Sequence, residues 1–363
     1  MLDEQYRKEA FKPDKKQLPS FPATVGWEAP SNIALVKYWG KKGIQQPVNP
    51  SVSMTLSNMH TQTRIHYSRA KKAGGRIWLR FNGIEDHPFK DRIQEYLDHL
   101  QPYFPFIGHL DLHIDTRNSF PHSAGMASSA SAMSSLALAL CSLEQDLREE
   151  PGEWSDFFQK ASFMARLGSG SAARSVYGGY VEWGRHAGGS DEYARPMTDN
   201  VAEPFSVLND SVLVVSSQPK KINSSSGHAL MDTHPYREAR ITQARENLER
   251  IGQSLKKGDF ESFAAATEEE ALSLHAMMLS SRPGYSLLKE ATMEIIDRIR
   301  SYRESTGASV SFTLDAGPNV HMLYPTREKE KLHMWMNQQL KPLCEEGKMI
   351  HDFTGNGPQR LDK

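Results

Sequence analysis

The sequence predicts a mixed α+β protein of two domains. The chain has 363 residues, about twice the usual domain size. Segments in which apolar residues alternate with polar ones are interleaved with segments of helical spacing along the whole length. Between residues 185 and 204 lies a polar stretch rich in turn residues, which reads as a linker. The expected organisation is an extension over residues 1–20, a first domain over 21–204 and a second over 205–363.

Taken in order, the extension is charged throughout and lacks the apolar stretch of a signal peptide. In the first domain Ile65 and Tyr67, then Ile77, Leu79 and Phe81, alternate with polar residues, and Asn82-Gly83 marks a turn. Leu110, Leu112 and Ile114 alternate again, as in a half-buried strand. Met126, Ala130, Met133, Ala137 and Leu140 then fall at helical spacing. A helix over 154–167, with Phe157, Ala161 and Met164 on one face, stops at Gly168-Ser169-Gly170-Ser171. Residues 172–177 open another helix.

In the second domain residues 212–215 form a short apolar strand. Ile241, Ala244, Leu248, Ile251 and Leu255 mark one amphipathic helix, and Leu288, Thr292, Ile295 and Ile299 mark another. Val310, Phe312 and Leu314, then Val320, Met322 and Tyr324, form two strands of a hairpin whose turn is Asp315-Ala-Gly-Pro-Asn319.

Composition excludes several classes. Charged residues are 24% and the formal net charge is -1, so no global field favours nucleic acid or a membrane. No apolar run approaches the roughly 18 residues of a membrane span. Two cysteines, Cys141 and Cys344, build no disulfide framework and read as reduced thiols in apolar elements. The expectation is a soluble cytoplasmic protein.

Four segments carry candidate chemistry. In the first, FPHSAGMASSASAMSS, Gly125 lets the backbone turn closely, and Ser128, Ser129 and Ser131 cluster where a helix begins. Free N–H groups and the helix dipole suit an anion such as a triphosphate there. No Gly-Lys-Ser/Thr follows, so it is not a Walker loop. A Ser-rich cap ahead of a buried helix has the same pattern. The second, residues 168–175, again sets glycines and hydroxyls before a turn, with Arg174 offering a planar fork for carboxylate or phosphate. Taken alone, the segment fits a flexible turn with a solvated Arg better. The third is Asp315, a base on a rigid hairpin or a cap for its own turn. The fourth, residues 29–42, has the pattern of a strand followed by a solvated basic turn with Trp39 in the core, but Lys37 interrupts an apolar run, and a buried lysine needs a carboxylate. None of the four is decisive alone.

Together, and in this order, NIALVKYWGK, P-x-x-x-G-M-A-S-S-A, GSGSAARSVYGG and DAGPNVH resemble the diphosphomevalonate decarboxylases of the GHMP kinase superfamily. The resemblance spans roughly residues 25–325 and is most specific at KYWGK, GSGSAxRS and DAGPN. It implies an S5-like N-terminal domain and a ferredoxin-like C-terminal one. It also implies ATP-dependent decarboxylation of (R)-5-diphosphomevalonate, with Mg2+, in a homodimer. It assigns Asp315, Arg174, Lys37 and Asn32 to catalysis. Substrate contacts fall to Tyr38, Trp39, Gly40, Lys41, Ser169, Gly170, Ser171, Ala172, Ala173 and Arg174, with hydroxyls at Ser224 and Ser225. ATP falls to Pro121, Ser123, Ala124, Gly125, Met126, Ala127, Ser128, Ser129 and Ser131, with Ser129 touching the metal. Two departures stand out. The loop reads Pro121-His-Ser-Ala-Gly-Met126 where P-T-A-A-G-L is common, and His228 stands where Met usually follows the hydroxyl-rich turn. A further substrate arginine in the first domain is not placed. A decarboxylase of the monophosphate, a kinase of the same superfamily and a non-catalytic binding protein are the alternatives.

Overall fold

A computed structural model of the chain describes residues 2–14, 16–72, 74–85, 89–120, 128–148, 154–197, 200–218 and 224–361. Among these, the helices in chain order are α1 Leu2–Lys8, α2 Phe89–Leu100, α3 Ser128–Arg148, α4 Trp154–Gly168, α5 Ser224–Ala229, α6 Arg237–Lys257, α7 Phe260–Ser280, α8 Glu290–Thr306 and α9 Lys329–Gln339. Two principal sheets accompany them.

The first sheet is organised by two long antiparallel strands, Ala23–Val36 and Ser51–Arg69. Beyond them lies Leu110–Asn118, which pairs in parallel with Arg76–Phe81. The parallel pair needs a crossover, and α2 supplies it between the two strands. Tyr180–Trp183 pairs with the start of Ser51–Arg69 and carries Ala194–Pro196 beside it. The expected linker therefore contains a strand of the first sheet. The core of this half is built from the apolar faces of the sheet and of α2, α3 and α4, with Ile65, Leu112, Tyr96, Leu136 and Phe163 buried among them. The first 20 residues are not free of it: Tyr6 of α1 and Leu18 are buried in the same cluster.

The second sheet runs Ser311–Leu314, Val320–Pro325, Leu208–Leu213, Met349–Phe353, all antiparallel. The helix expected at 241–255 is α6, and the one expected at 288–299 is α8. α6 stops where Gly258 takes a left-handed conformation, φ 74°, and returns its N–H to the Ser254 carbonyl. The next residue, Asp259, caps α7 by accepting the Ser262 N–H at 3.0 Å. Two residues thus end one helix and begin its neighbour. The helix expected after Ala172 is a short 3-10 turn, Gly170–Val176, instead.

A second apolar cluster crosses between the halves. Ile33, Leu35, Val52 and Met54 of the first sheet pack with Leu208, Val212, Leu248 and Phe263 of the second domain. From the strand Met349–Phe353 onward the chain reaches back to the first sheet. Asp352 accepts backbone N–H groups from Ser57, Asn58 and Met59 at 2.8–2.9 Å. Gln359–Arg360 then pairs as a strand against Ala23–Val36.

Candidate active site

Lys37 follows the strand Ala23–Val36, whose pairing slips at Pro30/Asn32 and again at Ala34/Val36. These irregularities swing the chain out of register and turn the lysine inward, where it is only 2% exposed. Its ammonium donates to the Ala34 carbonyl and stands 3.6 Å from Asp315 Oδ1. Burial pulls the Lys37 pKa down to about 8, with the Asp315 and Glu270 carboxylates opposing that fall. The carboxylate required by a buried lysine is therefore Asp315, from the other domain.

Asp315 sits at the start of the hairpin turn between Ser311–Leu314 and Val320–Pro325. Its backbone carbonyl closes the turn by accepting the Gly317 N–H at 2.7 Å. Thr292 of α8 and Asn319 pin the far side of the turn, bonding the Pro318 carbonyl and the Ser216 N–H. The Asp315 side chain is 26% exposed. Of the pair, only the carboxylate is open to a ligand, and the lysine stands behind it.

Arg174 lies in the 3-10 turn and is buried. Its Nε donates to Ser53 Oγ at 2.9 Å and its Nη1 to Ser51 Oγ at 2.6 Å. Two serines on one face of a strand thus fix the plane of the fork. Burial lowers the Arg174 pKa to about 10, with Asp315 opposing, so the charge persists at neutral pH. Asn32 holds the same turn from the first strand, donating to Ser175 Oγ at 2.7 Å and to the Ser171 carbonyl at 3.3 Å. Ser134 of α3 bonds the Ala172 carbonyl, and Ser162 of α4 bonds that of Ala173, each at 2.8 Å. Gly170 must lack a side chain, because a Cβ there would stand 2.7 Å from the Tyr38 hydroxyl.

The segment after Lys37 is locked by aromatic packing. His228 of α5 sits 4.5 Å from the Tyr38 ring and 4.6 Å from that of Trp39. Its Nδ1 accepts the Gly40 N–H at 2.9 Å. Burial, then the Lys41 charge, push the His228 pKa down to about 3, so the ring stays neutral. The histidine that departs from the usual Met is thus a packed acceptor. Trp39 joins Met231, Leu274, Met277 and Met278 in an apolar cluster. Lys41, half-buried, has its pKa lowered by burial and then by Arg92. Arg92 of α2 reaches the Gly168 carbonyl at 3.5 Å. Arg92 thus sets a cation beside the Gly168-Ser169 turn, near enough to Lys41 for the two charges to repel, an arrangement suited to an anion. Arg92 gave no sign in the sequence: beside the buried face of α2 it has the appearance of an ordinary solvated arginine.

Of the phosphate loop, Pro121, Ser123, Ala124, Gly125, Met126 and Ala127 lie outside the described residues, as do the side chains of Ser224 and Ser225. Ser128 and Ser129 open α3, and Ser129 Oγ lies 3.4 Å from Ser169 Oγ. The expected anion end and the expected substrate turn therefore meet at two hydroxyls. Ser131 is a correction. It is fully buried, with its hydroxyl 2.7 Å from Thr61 Oγ1 and donating to the Ser128 carbonyl, so it packs α3 onto the sheet.

Residues 29–194 match the diphosphomevalonate decarboxylase-like N-terminal domain, and residues 211–359 match the mevalonate 5-diphosphate decarboxylase C-terminal domain. The chain belongs to the diphosphomevalonate decarboxylase family. It is 33% identical over 323 residues to the diphosphomevalonate decarboxylase of Homo sapiens, covering 82% of this chain and 76% of that protein. It resembles the crystal structure of mevalonate diphosphate decarboxylase from Staphylococcus aureus with a TM-score of 0.81 and 29% identity, over 94% of this chain and 99% of that one. The mevalonate diphosphate decarboxylase from Enterococcus faecalis, described for its mevalonate diphosphate-mediated ATP binding, shares the fold at 24% identity and a TM-score of 0.78, over 94% and 100% of the two chains. The two-domain GHMP kinase architecture expected from the motifs is the one observed.

Proposed function

We propose that this decarboxylase family member converts (R)-5-diphosphomevalonate to isopentenyl diphosphate with release of ADP, phosphate and CO2. The observation that carries the reading is the meeting of Asp315, Lys37 and Arg174, three segments distant in sequence, around one half-open carboxylate. Such a group suits a substrate with one tertiary hydroxyl, one carboxylate and one diphosphate.

Arg174, its plane fixed by Ser51 and Ser53, forks onto the carboxylate. Lys41, Arg92 and the hydroxyl of Ser169 hold the diphosphate. Asp315 orients the 3-hydroxyl and accepts its proton as the new P–O bond forms, since a carboxylate is too weak a base to ionise an alcohol beforehand. Lys37 balances the Asp315 charge from behind. The C–O bond then breaks with its electron pair leaving on phosphate, and the pair of the bond to CO2 becomes the alkene.

ATP supplies the phosphoryl group that makes the tertiary hydroxyl a leaving group, and its Mg2+ offsets charge on the phosphates. The residues present suit it. α3 is a long helix, and its N-terminal turn offers N–H groups and the Ser128 and Ser129 hydroxyls. Mg2+ takes few protein ligands beside phosphate oxygens, and Ser129 is the hydroxyl we assign to it.

The deciding assay is a substrate panel of mevalonate, its 5-phosphate and its 5-diphosphate, each monitored for ADP and CO2. Turnover of the diphosphate with both products is expected. Preference for the monophosphate, or ADP without CO2, overturns the assignment. We further read the protein as cytoplasmic and homodimeric. Support for the first is that Cys141 and Cys344 are free and buried, and that among the described residues no helix is long and apolar enough to cross a membrane. The second rests on the family resemblance, and light scattering of the purified protein tests it.

A further inference from the structure

Lys37 and Asp315 come from different domains, and one helix touches the backbone of both. That helix is α7. Glu270, whose side chain has no solvent exposure, accepts the Lys37 backbone N–H on Oε2 at 2.9 Å. Five residues on, His275 Nε2 lies 3.1 Å from the Asp315 carbonyl oxygen, a contact only an N–H can make. Glu270 is itself immobilised. Arg240 of α6 donates Nη1 to Oε1 at 2.9 Å and Nη2 to Oε2, and Asn247 Nδ2 donates to Oε1 at 3.0 Å. Arg240 Nη2 also approaches the Lys37 carbonyl at 3.5 Å, and Asn49 donates to that carbonyl at 2.9 Å.

A buried ion pair between α6 and α7 is an unfavourable way to join two helices, because an apolar pair of similar volume avoids desolvating the charges. What an apolar pair cannot do is hold the N–H and the C=O of Lys37. A helix is rigid, and its rise of 1.5 Å per residue sets the two contacts about 7.5 Å apart along the axis. We propose that Glu270, braced by Arg240 and Asn247, and His275 are positioning residues that use α7 to fix Lys37 against Asp315 across the domain boundary. This rests on the reading of Lys37 and Asp315 as the reactive pair.

The test uses the full chain with ATP and (R)-5-diphosphomevalonate. Glu270→Asp keeps the charge but shortens the reach. A displacement of about 1 Å is enough to cost on the order of a hundredfold in rate, so kcat is expected to fall by about tenfold or more while both KM values stay within about threefold. Glu270→Gln also removes a carboxylate that supports the Lys37 charge. The groups facing that ammonium are then Asp315, Arg174 and His321, and the alkaline limb of the kcat profile moves to lower pH. His275→Ala lowers kcat without moving the limb, and His275→Gln, which restores a donor, recovers most of it.

Where the Glu270 variants fail to fold, Arg240→Met combined with Glu270→Gln leaves no unpaired charge and carries the kcat measurement. The two His275 variants test the proposal independently of Glu270. Folded variants with kcat within about twofold of wild type, or with an unmoved limb in Glu270→Gln and no rescue by His275→Gln, overturn the inference. Asp315→Asn separates the two levels. If it retains turnover, the reactive pair is wrong. If it is inactive while the α7 variants are normal, only the positioning role fails.

Discussion

Replacing Lys37 by Met should make the protein more stable and inactive at once. Burial moves the Lys37 pKa from 10.5 to about 8. At about 1.36 kcal/mol per unit, holding that charge costs the folded state about 3 kcal/mol near pH 7. Met keeps most of the volume without the charge. The Ala34 carbonyl loses its ammonium donor but keeps Thr313 Oγ1 at 3.4 Å, so it is not stranded. Asp315 loses its partner but is open to solvent. A net gain of about 2 kcal/mol at pH 7 follows.

The sign with pH is distinctive. Between about pH 8 and 10.5 the unfolded wild type still binds the proton that the folded protein has lost, so wild-type stability rises with pH across that window. The advantage of Lys37→Met must shrink correspondingly. Melting both proteins by scanning fluorimetry at pH 7 and pH 10 measures it. A variant less stable than wild type at pH 7, or a gap that does not narrow by pH 10, would falsify the account. So would retained turnover.

Other outcomes follow from the same geometry. Asp315→Asn should lower kcat by about 10²–10⁴ with ATP affinity, read by a fluorescent nucleotide, unchanged. Arg174→Lys loses the fork that Ser51 and Ser53 hold in plane and should reduce kcat/KM for diphosphomevalonate by about a hundredfold. Gly168→Ala would press a Cβ to within 2.8–2.9 Å of Met133 and Tyr96. It should cost about 1–3 kcal/mol in denaturant unfolding and raise the substrate KM by displacing Ser169. His228→Met strands the Gly40 N–H and should raise that KM too. It should also lessen acid sensitivity. Wild type loses stability as pH falls below 6.5 toward about 3, because the unfolded histidine takes up a proton that the buried one refuses.

The strands and the amphipathic helices were legible because each leaves one apolar face in the sequence. Leu110, Leu112 and Ile114 alternate as a half-buried strand must, and α6 shows its stripe from Ile241 to Leu255. α7 left no such stripe. It is buried on several sides and carries Glu268, Glu270 and His275 inward, so polarity and exposure are uncoupled along it. The site was legible only as a set. Lys37 announced a missing carboxylate, but that Asp315 supplied it depends on a contact spanning most of the chain. Arg92 and Glu270 had no local signal, since each takes its meaning from neighbours that are remote in sequence.

The segment from the last strand of the second sheet, Met349–Phe353, to Arg360 makes the two halves unequal partners in assembly. Asp352 caps three amides of the first sheet, and Gln359–Arg360 supplies the neighbour of its first strand. During synthesis the N-terminal half therefore emerges with a bare edge and waits while the whole ferredoxin-like half is made. Cutting the chain between residues 185 and 204 would leave one fragment with an open strand and the other with a carboxylate that has lost the amides of Ser57, Asn58 and Met59. The covalent order suggests two modules in series, whereas folding closes them into a loop that is complete only when its later end comes home.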